Sequence, residues 1–169
     1  KRGFRSDRFN TMIRYKQLNL GQLSYYIQKG VIDPNQPITF KVLLEKGIIT
    51  KIKDGVKILG RGADSFKSLG VAIQIEASDA SESAIEAIKS TGGSISSQYR
   101  TPLIMRQYLK PHKFEDYQNY KTPMPSPKKL KRLERVREKG IDVSYPDAPW
   151  FTNNKEEIQR EKEAQKKRI

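Results

Sequence analysis

The chain has 169 residues, 36% hydrophobic and 31% charged, with 33 Lys and Arg against 19 Asp and Glu and a net charge of +14. That length holds one domain with extensions, and the hydrophobic share is lean for a chain packed throughout. The absence of cysteine excludes disulfides, thiolate metal ligands and a cysteine nucleophile; no apolar run approaches the ~20 residues that span a bilayer, and no signal peptide is visible.

The charge is unevenly placed. Residues 1–60 carry 12 Lys and Arg against 4 Asp and Glu, residues 61–97 carry 3 against 5, and residues 98–169 carry 18 against 10. A near-neutral middle therefore lies between two cationic flanks. Like charges repel and oppose compaction, so such flanks imply an anionic partner: nucleic-acid phosphate or an anionic membrane surface.

Residues 1–18 form a basic arm. Lys1, Arg2, Arg5, Arg8, Arg14 and Lys16 are interleaved with Phe4, Phe9 and Tyr15. Arginine forks pair with phosphate oxygens, and aromatic rings stack on unpaired bases or anchor the arm to its own domain. Met12, Arg14 and Lys16 alternate with Ile13, Tyr15 and Gln17, so this end enters the core as a strand. Asn19 is an N-cap for a helix whose apolar face is Leu20, Leu23, Tyr26 and Ile27, closed by Gly30. Thr39 caps a second short helix, 40–46, with Leu43 and Leu44 inward and Gly47 as its stop; Ile48 and Ile49 lead to a Lys51-Ile52-Lys53 edge.

Val56, Ile58 and Leu59 read as a strand, with turn signals at Asp54-Gly55 before it and Gly60-Arg61-Gly62 after it. A second strand spans 71–77: Val71, Ile73 and Ile75 face one way, Ala72, Gln74 and Glu76 the other. A helix follows over 82–91, with Asp79 as cap, Glu82 reaching back, and Ala84, Ile85, Ala87 and Ile88 buried. Gly92-Gly93 ends it, and Ser94-Ile95-Ser96 returns as a strand.

Five pieces in order carry a family resemblance: Lys1-Arg2-Gly3-Phe4, Asn19-Leu20-Gly21-Gln22-Leu23, Leu43-Leu44-Glu45-Lys46-Gly47-Ile48-Ile49, Val56-Lys57-Ile58-Leu59-Gly60-Arg61-Gly62, and Ser83-Ala84-Ile85-Glu86-Ala87-Ile88 with its closing glycines. Together they resemble the ribosomal L-fifteen family of the large subunit, over about the first 97 residues. The resemblance implies an α/β fold, a small irregular superhelix of β-β-α turns with an extended basic N-terminal arm and a long C-terminal extension containing helices. It divides the chain into the arm (1–18), the core (19–98) and the extension (99–169). It implies a structural constituent that binds large-subunit ribosomal RNA and neighbouring ribosomal proteins, with no cofactor, no membrane span and no small-molecule substrate. It also implies a glycine-rich basic arm ahead of Lys1.

Residues 98–169 have no counterpart in the short bacterial-type members and look like the extension of mitochondrial ones; a chain opening on Lys1 also suits removal of a transit peptide. The expected compartment is the mitochondrial ribosome in the matrix. Within the extension, 101–109 is apolar enough to lie on the core or on a neighbour. Pro123, Pro125 and Pro127 mark an extended connector. Residues 128–139 carry seven positive and two negative charges, with Leu130, Leu133 and Val136 three apart. That is an amphipathic basic helix, suited to RNA or protein surface, and of a kind that also lies on membranes. Its Lys128, Lys129, Lys131, Arg132 and Arg135 join the arm residues as candidate RNA contacts. Trp150 and Phe151 read either as a protein-docking anchor or as packing against this chain. Residues 156–168 alternate in sign and lack an apolar stripe, reading as a solvated helix or a disordered tail.

Two other classes stay open. One is a free RNA-binding assembly factor. The other, a nucleic-acid enzyme, draws little support from a lone His112 and from Asp64, Glu76, Asp79, Glu82 and Glu86, which fit turns, a solvent face and a helix start. Replacing Arg2, Arg5 and Arg8 by alanine is expected to weaken RNA binding and flatten its salt dependence, since fewer phosphate contacts release fewer counterions. Titrating RNA affinity against salt checks it.

Overall fold

The computed structural model describes residues 12–114 and 122–146. Strand β1 (Lys16–Asn19) runs directly into helix α1 (Leu20–Gln28). Asn19 holds the N-cap, and its backbone N donates to Gln22 Oε1 at 3.3 Å, the reach-back half of a capping box. After Gly30, in the left-handed region at φ 71°, Thr39 Oγ1 accepts from Val42 N and starts α2 (Phe40–Glu45). Then come β2 (Val56–Leu59), α3 (Ala63–Lys67), β3 (Gln74–Glu76), β4 (Asp79–Ala80), α4 (Glu82–Ser90) and β5 (Ser94–Gln98). The extension adds α5 (Pro102–Leu109), a single 3-10 turn (Pro111–Lys113), α6 (Pro127–Glu138) and β6 (Asp142–Ser144).

The strands form two sheets, ordered β1-β2-β4 and β3-β5-β6, parallel throughout. Leu18, Ile58 and Ala80 stand in register in the first. Ile75 pairs with Ile95 in the second, and Ile38 bridges to Ile75 on its other side. Each strand of the first sheet launches a helix, and the chain then returns through the second ladder. Parallel neighbours need such crossovers, so the chain climbs in coils of α/β structure, the expected β-β-α superhelix.

The stacked side chains and the helices above them make one apolar core. Phe40, Phe66, Leu20, Leu23, Ile58 and Ile73 are among its fully buried members. Two helix starts meet where Gly62 (φ 81°) faces Gly21: a Cβ on Gly62 would lie 2.5 Å from the Gly21 Cα. That approach lets Gly21 N donate to Arg61 O at 2.9 Å and Ser24 Oγ to Ser65 O at 3.2 Å.

The structure departs from the sequence reading at several points. The first strand begins at Lys16, not at Met12. The strand expected over 71–77 is confined to Gln74–Glu76, because its partner starts at Ser94 and the preceding Gly93 packs on the Ile73 backbone. Glu76, expected to face outward, is buried at 8% exposure. Lys51-Ile52-Lys53 is a loop with only Ile52 buried. Ser81, not Asp79, caps α4. Pro127 begins α6 rather than ending the connector: a proline at the first helical position loses no intrahelical bond.

The extension shares this core. Met105, Leu109, Val136 and Ile141 belong to the same apolar cluster, Leu130 is fully buried, and β6 pairs with β5 from Ser96–Asp142 to Gln98–Ser144. The expectation that removing residues 128–169 leaves the core untouched is therefore revised. Burying Leu130, Val136 and Ile141 is worth about 1.5–3 kcal/mol each at most, against a typical total stability of about 5–15 kcal/mol. Truncation before Pro127 is expected to lower the urea midpoint sharply, and Leu130→Ala alone to cost about 2–5 kcal/mol; equilibrium unfolding followed by circular dichroism measures both.

Candidate nucleic-acid interface

The extended residues ahead of β1 lie along the 53–55 loop. Arg14 N donates to Asp54 Oδ2 at 3.0 Å and Lys16 N to Gly55 O at 2.9 Å, leaving both side chains on the exposed surface. Tyr15 between them turns inward. Its ring lies 5.1 Å from Arg132 Cζ of α6. Burial raises the Tyr15 phenol above its usual pKa, with Asp79 and Asp54 adding to the rise and Arg132 opposing it. The phenol therefore stays protonated at neutral pH.

Helix α6 turns Leu130, Leu133 and Val136 toward the protein and presents Lys128, Lys129, Lys131, Arg132 and Arg135 to solvent. Lys129 Nζ donates to the Tyr99 hydroxyl at 3.3 Å. Arg137 donates to Val143 O at 2.9 Å, fastening the helix to β6. The candidates Arg14 and Lys16 thus share a neighbourhood with Arg132, joined through Tyr15. Lys1, Arg2, Arg5 and Arg8, and the docking candidates Trp150 and Phe151, lie outside the described residues. His112 is exposed in the 3-10 turn.

Between α6, the start of α5 and residues 12–15 opens a cleft of about 410 Å³, within the range of about 300–1,000 Å³ usual for ligand sites. Tyr15 and Tyr99 line it, Met105 and Leu133 supply apolar surface, and Lys53, Lys129 and Arg132 stand in its wall. Sequence reasoning passed over Lys53 and Tyr99: they are joined to Arg132 only by tertiary folding, and no local spacing announces them.

Two ion-pair centres hold this surface in shape. Glu76 pairs with Arg100, both 8% exposed, while its other oxygen accepts from Phe40 N at 3.3 Å, at the positive end of α2. Arg100 stacks 4.1 Å from the Tyr108 ring and donates to Gln98 Oε1 at 2.5 Å. Asp79 accepts from Lys57 Nζ and from Lys139 Nζ, each at 2.9 Å. It ties β2, β4 and the end of α6 together. Burial of the Asp79 carboxyl opposes its ionisation, but hydrogen bonds and charge from Lys139 and Lys57 outweigh burial and hold its pKa below the usual value.

A depressed carboxylate pKa stabilises the fold above the unfolded value, about 3.9, and that contribution disappears as pH falls through the folded value. Asp79→Asn is therefore expected to be less stable than the natural chain at pH 7 and to lose less on acidification below about pH 4. Thermal melts from pH 7 to pH 3 measure the convergence.

The fold and this surface define a small α/β protein of stacked parallel ladders with a cationic, aromatic-lined face. Among the described residues, no three His, Cys, Asp or Glu side chains gather as a metal would require, and no helix is long and apolar enough to cross a membrane. Residues 17–96 match the family that unites ribosomal proteins 50S-L15 and 50S-L18e with their 60S counterpart. Over that segment the chain belongs to this family. It is 49% identical over 86 residues to large ribosomal subunit protein uL15m of Neurospora crassa, covering 50% of this chain and 27% of that protein. It is 38% identical over 137 residues to uL15m of Schizosaccharomyces pombe, covering 81% of this chain and 45% of that protein. Similarity to uL15 of Methylobacterium nodulans is 36% over 95 residues, 56% of this chain and 54% of that protein. The matched segments thus span about half or less of these relatives' own length.

Proposed function

We propose that this chain is a structural constituent of the large subunit of the mitochondrial ribosome, binding ribosomal RNA and neighbouring ribosomal proteins in support of translation. The observation that carries the reading is the family match over the coiled core, together with 49% identity to a fungal uL15m. The alignment with the second fungal uL15m supports the compartment. Any 137-residue stretch of a 169-residue chain must include residues 98–137, so that likeness reaches into the extension. The bacterial alignment of 95 residues covers little more than a core's length.

The mechanism is electrostatic and architectural. The core holds a rigid platform, and the arm with α6 offers Lys and Arg to phosphates that would otherwise repel one another when RNA helices pack. Each such contact releases condensed counterions, so binding falls steeply with salt. Aromatic side chains fill gaps that charge alone leaves open. No catalytic step is assigned to any residue.

In lysates separated into organellar and cytosolic fractions and run on sucrose gradients after a high-salt wash, the chain is expected at one copy per large subunit in the organellar fraction. Sedimentation with cytosolic subunits would keep the role and remove the compartment. Presence in pre-subunit fractions alone would replace this reading with an assembly factor that departs before the particle is finished.

A further inference from the structure

The basic arm and α6 do not exhaust the cationic surface. A second cleft, about 470 Å³, lies on the far side of Pro102, between the 50–53 loop and α5. Leu44, Ile52 and Leu109 give it apolar surface. Its lining also carries Lys51, Lys53, Arg106, Lys110 and Lys113, and no acidic residue. All five cations are exposed. Lys53 and Pro102 line both clefts, so the two form one continuous track from Lys113 to Lys129. Among the described residues no ion pair engages these five, Lys129 or Arg132. Apart from Lys51 and Lys53, the cations of the track lie beyond residue 96, outside the family-matched segment.

We propose that this track binds an unpaired stretch of folded RNA, with phosphates along Lys51, Lys53, Arg106, Lys110 and Lys113 and one unstacked base in the 410 Å³ cleft beside Tyr15 and Tyr99. The proposal rests on the RNA-binding reading above and names its site. Five cations gathered without a carboxylate repel one another, and an anion laid across them removes that repulsion. The Arg132 guanidinium over Tyr15 and the Lys129–Tyr99 pair put cations against aromatic faces. Unpaired bases stack on such rings and on guanidinium planes. Met105 and Leu133 complete a surface that favours a flat, weakly hydrated group. An acidic protein segment would satisfy the charge but would leave the aromatic cleft without a use, which decides for RNA.

The test uses the full chain and an RNA hairpin whose single-stranded loop carries a fluorescent purine analogue, compared with a fully paired duplex of equal length. Lys110→Ala with Lys113→Ala is expected to flatten the slope of log affinity against log salt by about 1.4, two phosphate contacts at roughly 0.7 each. Tyr99→Leu is expected to lower the preference for hairpin over duplex by about tenfold and abolish quenching of the analogue, whereas Tyr99→Phe keeps both. Melting curves establish that each variant is folded. An unchanged slope in the lysine pair, or unchanged quenching in Tyr99→Leu, overturns the assignment. Displacement of the hairpin by polyglutamate at equal charge concentration also overturns it, in favour of an acidic protein partner. The gradient experiment reads a separate quantity. Hairpin binding of this kind without sedimentation on subunits removes the ribosomal reading and leaves the track. Normal sedimentation with an unaltered slope does the reverse.

Discussion

The register of two parallel ladders is the constraint on which this molecule depends. Leu18, Ile58 and Ala80 stack in one, and Ile38, Ile75 and Ile95 in the other. Because every neighbour is parallel, each strand must be followed by a crossover, and the helices have one place to go, above the stacked apolar rows. A slip of one residue would turn Ile58 and Ile75 outward and empty the core. The glycine contact between Gly21 and Gly62 belongs to the same constraint: helices launched from adjacent parallel strands start side by side, and at this spacing a side chain has no room.

Polar interactions fasten the coils at places where the apolar stack is thin. Glu76 links the start of α2 to Arg100 across 24 residues of sequence. Asp79 links β2, β4 and the end of α6. Both acids lie in the segment where negative charge outnumbers positive, so the slight anionic excess of the middle works inside the fold as counter-charge to cations arriving from the flanks. Lys139 and Arg100 are used in this way, while Lys128, Lys131 and Arg135 remain on the surface.

Much of the core was legible because its signals are local. Asn19, Thr39 and the apolar spacing of α1, α2 and α4 lie within single turns of helix, and Gly30, Gly47 and Gly92 adopt the left-handed backbone that a stop requires. What the sequence hid was set by distant contacts. Glu76 alternates like a solvent residue, yet its partners are Arg100 and the Phe40 amide. Helix α3 is five residues long with only Phe66 buried, too short to show a period. Strand β6 is Asp-Val-Ser with only Val143 half-buried, and exists because β5 offers an edge. Of the site, the cationic character of α6 could be read directly. The cleft beside it could not, because Tyr15, Lys53, Tyr99 and Arg132 are brought together from four separate parts of the chain.

The position of β6 bears on how the chain is made. Coils that stack in chain order can form one after another as the polypeptide leaves its own site of synthesis, each new strand finding the previous one already in place. The last inward strand of the core, β5, then waits for a partner 46 residues downstream. During that interval its outer side is an open row of backbone donors and acceptors, the kind of edge on which chains join into aggregates. Residues 142–144 therefore act as a stopper as well as a brace, and the finished extension keeps a newly made molecule solitary until its proper surroundings receive it.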